Sequence, residues 1–181
     1  MYVPKNIFLT KGVGTHPEKL TSFELALRDA GIGPYNLVSV SSIYPANCNL
    51  INRKEGIGQM TPGQIIHVVL SKNQTNEKGR MISASIGLAI PKDPDAYGYL
   101  SEHHGYGQDK EESGEYAEDL AAEMLATILG VEFDPELSWD EKRNIWRFSD
   151  TIVRTQNITE SAVGSAKRHW TTVLAAAVLL P

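Results

Sequence analysis

SFELALRDAGIGPYNLVSVSSIYP, residues Ser22 to Pro45, carries a helix, a turn and a strand in immediate succession. Phe23, Leu27 and Ala30 share one helical face, and Thr21 with Glu24 has capping-box spacing, so a helix is expected from Thr21 to a stop at Gly31. After the GIGP turn, NLVSVSSIY from Asn36 to Tyr44 is rich in β-branched residues and ends at Pro45, which has no N–H to give a sheet ladder. It is expected to form one strand.

Outward from that stretch the pattern continues. Ile7 to Thr10 is a short β-prone run ending at the KGVG loop. Gln64 to Ser71 and Arg80 to Ile90 are strand candidates separated by the polar cluster NQTNEKG, which suggests a hairpin. Tyr97 to His103 follows as another strand. Asp109 to Leu129 has an acidic start, Leu120, Met124, Leu125 and Ile128 on one side, and Gly130 just beyond, the marks of a long helix. Ser138 with Glu141 has capping-box spacing and starts a short helix through Trp146; Ile152 to Ile158 and Trp170 to Leu180 are the last strands. Strands outnumber helices and do not alternate strictly with them, which predicts an α+β domain with a mainly antiparallel or mixed sheet.

Composition agrees with one globular domain over residues 1–181: 41% hydrophobic, 22% charged, net charge −5. The longest apolar run, VLAAAVLL from Val173 to Leu180, is far shorter than the roughly 20 residues a membrane-spanning helix needs. The N-terminus MYVPKNIFLT has no secretory pattern, so a cytoplasmic location is expected, with no membrane partner. Lys and Arg are scattered, so no nucleic-acid footprint is expected. The lone Cys48 supports no disulfide or zinc motif. His103 and His104 are adjacent and point to opposite faces of a strand, so no metal site is expected. GVG, GIG and GYG read as turns, and generic nucleotide and zinc-protease motifs are absent.

Ser41-Ser42 has a chemistry of its own. The Ser42 hydroxyl can attack the Ser41 carbonyl through a five-membered ring and turn the peptide bond into an ester. Removal of the Ser42 Cα proton then eliminates the ester, severs the chain and leaves dehydroalanine, which hydrolyses to a pyruvoyl group with loss of ammonia. The attack needs a constrained backbone and a donor for the oxyanion. On the residues alone, the ordinary reading of such a pair is a polar strand end.

Several separated blocks resemble the pyruvoyl-dependent arginine decarboxylase family: Ser22 to Pro45, AIPKD from Ala89 to Asp93 with Gly98 and Glu102, SASIGLAI, and the alanine-rich C-terminal strand. FDPELSWDEKRNIWRF, within residues 130–154, has no match in it. The resemblance implies a four-layer αββα sandwich assembled as a homotrimer with active sites between subunits. It also implies cleavage into a 41-residue β chain, 1–41, ending at Ser41, and a 140-residue α chain, 42–181, headed by a pyruvoyl group made from Ser42 (181 − 41 = 140). In that scheme L-arginine forms a Schiff base with the pyruvoyl ketone, loses carbon dioxide and leaves as agmatine. Glu102 matches the proton donor, and Asn36 a position that assists processing and lies in the active site. Glu24 matches the acidic partner of the substrate guanidinium, for which capping its own helix is the alternative role. Leu27 matches a residue lining the arginine pocket, with core packing as its alternative. A decarboxylase for another amino acid, or a non-cleaving trimeric binding or regulatory protein, are the competing functions, and agmatine could serve polyamine synthesis or acid resistance.

Overall fold

The computed structural model describes residues 2–131, Glu141 and residues 152–181. In chain order the elements are β1 (Asn6–His16), α1 (Lys19–Asp29), β2 (Asn36–Ser39), β3 (Ile43–Tyr44), β4 (Asn49–Leu50) and α2 (Arg53–Gly58), then β5 (Ile65–Thr75), β6 (Met81–Pro91), β7 (Gly98–Tyr106), α3 (Lys110–Ile128), β8 (Ile152–Val163) and β9 (Trp170–Leu180). The helix expected through Trp146 falls largely outside the described residues.

The strands form two sheets, ordered β2-β5-β9-β1-β4 and β3-β7-β6-β8. The first is mixed, with β1 parallel to β4, β2 parallel to β5, and β9 antiparallel to both β1 and β5. The second is antiparallel. Side-chain alternation stacks the layers. Leu174, Ala176 and Val178 of β9 pack with Ala26 and Ala30 of α1, whereas Ala175, Ala177 and Leu179 pack against Ile86, Leu88 and Leu100 of the second sheet. Ala89, on the opposite face of β6 from Leu88, meets Ala121, Ala122 and Leu125 of α3. The result is the four-layer αββα sandwich that the resemblance implied. β9 is buried on both faces, which is why its sequence is almost continuously apolar.

Glycines allow the helices to lie this close. A Cβ on Gly12 would sit 2.2 Å from the Ala26 carbonyl oxygen, and one on Gly14 2.3 Å from that of Ser22. For that reason β1 runs straight through KGVG to His16 instead of ending at Thr10. Gly87 does the same for α3: its Cβ would lie 2.0 Å from the Ala117 carbonyl oxygen. Gly87→Ala is therefore expected to destabilise the protein by roughly 1–3 kcal/mol, read as a lower urea midpoint, because backbone rather than a flexible side chain must move.

Three further expectations are corrected. Residues 64–71 and 80–90 do not form a hairpin, since β5 pairs with β2 and β9 in the first sheet while β6 pairs with β7 and β8 in the second. The first three residues of NQTNEKG extend β5, residues 76–80 carry the chain between sheets, and Ser71 and Asn73 of β5 donate side-chain hydrogen bonds across the gap to the His103 and Gly105 carbonyls. Helix α1 starts at Lys19 after Glu18, so Thr21 lies inside it and caps nothing, and the Glu24 carboxylate pairs with Arg28 one turn on. The expected strand from Asn36 to Tyr44 is broken in two, and the break is at the serines.

Candidate active site

Strand β2 lies at the edge of the first sheet and β3 at the edge of the second. Between them the chain crosses from one layer to the other. Val40 still belongs to the first sheet, its N–H donating to the Val68 carbonyl at 3.0 Å. Two residues later the Ser42 carbonyl accepts from Leu100 of the second sheet at 2.9 Å. The Ser41–Ser42 peptide bond is thus the span between two anchored ends, each fixed by a rigid sheet.

Within that span the Ile43 N–H donates to the Ser41 carbonyl at 3.0 Å. This i to i+2 bond closes a tight turn centred on Ser42. The carbonyl that the Ser42 hydroxyl would attack therefore already holds a backbone donor, the arrangement that stabilises a developing oxyanion. Ser41 is exposed and Ser42 half-buried.

Glu102 lies on β7 two residues beyond Leu100, about 6.6 Å along the strand at 3.3 Å per residue. Its side chain is on the same face as those of Leu100 and His104, toward the first sheet. Although exposed in the single chain, its carboxyl is pushed above the ordinary glutamate range, chiefly by the water it loses on the side facing the protein. The Leu70 backbone N–H and nearby His104 pull the other way. Ser42 and Glu102 are thus both placed by β7 at the rim between the sheets.

The other expected residues are elsewhere in the single chain. Asn36 opens β2 at the strand's far end, roughly 13 Å of extended chain before Val40, and its amide nitrogen donates to the Gly63 carbonyl at 2.8 Å. Glu24 and Leu27 are on α1, across the first sheet from Glu102; Leu27 is partly buried against the helix–sheet core. His103, turned away from Glu102, packs at a tilt against Tyr116 of α3, ring centroids 4.5 Å apart, and bonds Gln108 through Nε2.

Sequence reading missed the backbone donors Ile43 and Leu70, which leave no mark in residue type. It also missed His67. This residue shares strand parity with Val69, Ser71 and Asn73, which face the second sheet, and its Nδ1 is 2.9 Å from the Tyr2 hydroxyl. His67 lines a largely apolar cleft of about 530 Å³ beside Ser41, along with Val40, Ile43 and Leu179. Glu102 is not part of that wall, whose residues flank the Ser41–Ser42 bond on both sides, Val40 and Ser41 before it and Ile43, Pro45 and Ala46 after it.

A serine pair strung between the two sheets of an αββα sandwich, with a carboxyl at the rim, is the arrangement expected of a pyruvoyl-type decarboxylase. A family model of pyruvoyl-dependent arginine decarboxylases matches residues 6–181. The chain is 57% identical over 178 residues to the pyruvoyl-dependent arginine decarboxylase of Nitrosopumilus maritimus, covering 98% of this chain and 97% of the relative. It is 52% identical over 178 residues to pyruvoyl-dependent arginine decarboxylase 2 of Methanosarcina acetivorans, with the same coverage. The chain belongs to the pyruvoyl-dependent arginine decarboxylase family.

Proposed function

We propose that this chain cuts itself between Ser41 and Ser42 and, so processed, converts L-arginine to agmatine and carbon dioxide. The observation that carries the proposal is the Ser41–Ser42 bond anchored between two sheets, with the Ile43 N–H already on the Ser41 carbonyl. Ser42 is the nucleophile, and the Ile43 N–H stabilises the oxyanion that forms on Ser41. A pyruvoyl group at residue 42 would supply the electron sink for decarboxylation. The chain's own residues orient arginine, exclude water and return a proton. Glu102 is the proton donor, a role for which the upward shift of its carboxyl has the required direction.

Glu24 and Leu27 would serve substrate binding from a neighbouring subunit, because the first sheet separates them from Glu102 of their own chain. This supports sites shared between protomers, as in the homotrimer that the family resemblance implies. A neighbour closing over the exposed Glu102 would remove more water and raise its carboxyl further. Asn36 would act in processing by the same route, from the far end of β2.

If Glu24 holds the guanidinium, Glu24→Gln is expected to raise KM for arginine roughly 10- to 100-fold, the value of a charge-assisted hydrogen bond. Its pair with Arg28 is exposed and worth only about 0.3–0.5 kcal/mol, so Tm should barely move. A lower Tm with unchanged KM would assign Glu24 to helix stability alone. The activity itself is tested by offering the purified protein carboxyl-labelled arginine, histidine and lysine in turn. Labelled carbon dioxide from arginine alone, with agmatine as product, is the expected result; release from another amino acid instead would overturn the substrate.

A further inference from the structure

The cleft beside Ser41 does not have Glu102 in its wall, and a cut at Ser41–Ser42 would change its charge. This inference rests on the self-cleavage proposed above. In the elimination step a base takes the Ser42 Cα proton, the C–H electron pair becomes the Cα=Cβ bond, and the Cβ–Oγ pair leaves with Ser41. The leaving group is the Ser41 carboxylate. Water then hydrolyses the enamine at residue 42 to the ketone with release of ammonia, so the new N-terminus is neutral and one negative charge is left at residue 41.

That charge appears at the wall of a cleft lined by Val40, Ile43, Pro45 and Leu179. Ser41 is exposed, so water reaches that carboxylate, but those apolar side chains offer it no partner of opposite charge. Of the described residues lining the cleft, His67 is the one that can become cationic; the other titratable groups are the phenols Tyr2, from the N-terminal segment, and Tyr97, from the approach to β7. Strand pairing sets His67 three residues back from Ser41, and both line the same cleft. In the parallel β2–β5 register Val38 is opposite His67 and Ser39 opposite Val68, and the Val40 N–H continues the ladder to the Val68 carbonyl. Parity turns the imidazole toward the second sheet, the direction in which the chain leaves at Ser41. The Tyr2 hydroxyl engages Nδ1, so Nε2 is the ring nitrogen left to meet a new anion.

We propose that His67 is the counter-ion of the Ser41 carboxylate released by self-cleavage, and that this cleft holds the new chain end. The contact ties the C-terminus of the short chain to β5 of the long one. With Tyr2 on the other ring nitrogen, both ends of the 41-residue fragment meet on a single side chain of its partner fragment.

The test is an NMR titration of full-length protein labelled in the histidine rings, cut wild type against uncut Ser42→Ala, with His67 assigned by loss of its signals in His67→Gln. In the cut protein His67 should titrate about one pH unit or more higher, as a carboxylate partner favours the imidazolium. Equal or lower titration would overturn the counter-ion. A second measurement uses the cut protein alone. With carbonyl-labelled serine, the Ser41 carboxylate signal should show a step coincident with His67 that disappears in cut His67→Gln; its persistence would overturn the proposal. A wild-type chain of uncut mass would instead overturn the self-cleavage reading itself, so the two failures are distinct.

Discussion

Ser42→Ala is expected to remain one 181-residue chain with no detectable decarboxylase activity. Alanine keeps the backbone and most of the volume, so the crossing from β2 to β3 should survive: its anchors, Val40 to Val68 and Leu100 to Ser42, are main-chain bonds. What disappears is the only atom at that residue able to attack the Ser41 carbonyl and later leave Cβ. The effect is therefore all-or-none in processing, while the uncut variant should still melt in one cooperative transition. Denaturing electrophoresis checks the first point and thermal melting the second. A normally cut, fully active Ser42→Ala protein would refute the assigned chemistry.

Glu102→Gln should separate processing from turnover. Cleavage is expected to proceed, since the donor on the Ser41 carbonyl is the Ile43 amide, but kcat should fall about 10²- to 10⁴-fold, the usual contribution of a positioned acid. Loss of fold does not explain such a drop. The Glu102 carboxyl is raised in the folded chain, so the protein favours its protonated form. Its contribution to stability is therefore full below the ordinary glutamate range and is lost as pH rises through the raised value. Glutamine cannot ionise, and above that range the variant should melt no lower than wild type. In the wild type kcat should decline as pH rises and Glu102 loses its proton, and the variant should lack that limb. An unchanged kcat in the variant would remove Glu102 as proton donor.

Residues with strong local signals were legible in the sequence. Helix α3 follows its acidic start, with Asp109 and Glu112 forming a reciprocal capping box, and β9 follows the apolar run to Leu180. Features set by the second sheet were not legible. Asn36 to Tyr44 has uniform β propensity, yet Val40 and Ser42 bond to strands of different sheets, a choice made by partners far along the chain. Gly12 and Gly14 carry turn statistics but serve the close approach of α1. The β5–β6 connection has hairpin residues, and no local signal tells that its strands enter separate layers.

Site residues divide in the same way. Ser41, Ser42 and Glu102 stand out by chemistry and family resemblance, and the fold brings them to one rim through β7. The helix-cap alternative for Glu24 looked equally good from spacing, but the start of α1 at Lys19 removes it. Glu24 on the outer face of the first sheet and Asn36 at the far end of β2 lie away from Glu102 in the single chain, a separation that their spacing in the sequence does not display. His67 is a lone histidine in an apolar strand and becomes significant only when the fold sets it opposite Val38, in the wall of the cleft that Ser41 also lines.

The intact mass of the purified protein under denaturing conditions tests the central claim most directly. The account predicts two species, residues 1–41 ending in the Ser41 carboxylate and residues 42–181 beginning with an amine-free group that reacts with carbonyl reagents. A single species with the mass of the uncut chain would contradict it, and with it the roles given to Ser42, Glu102 and His67.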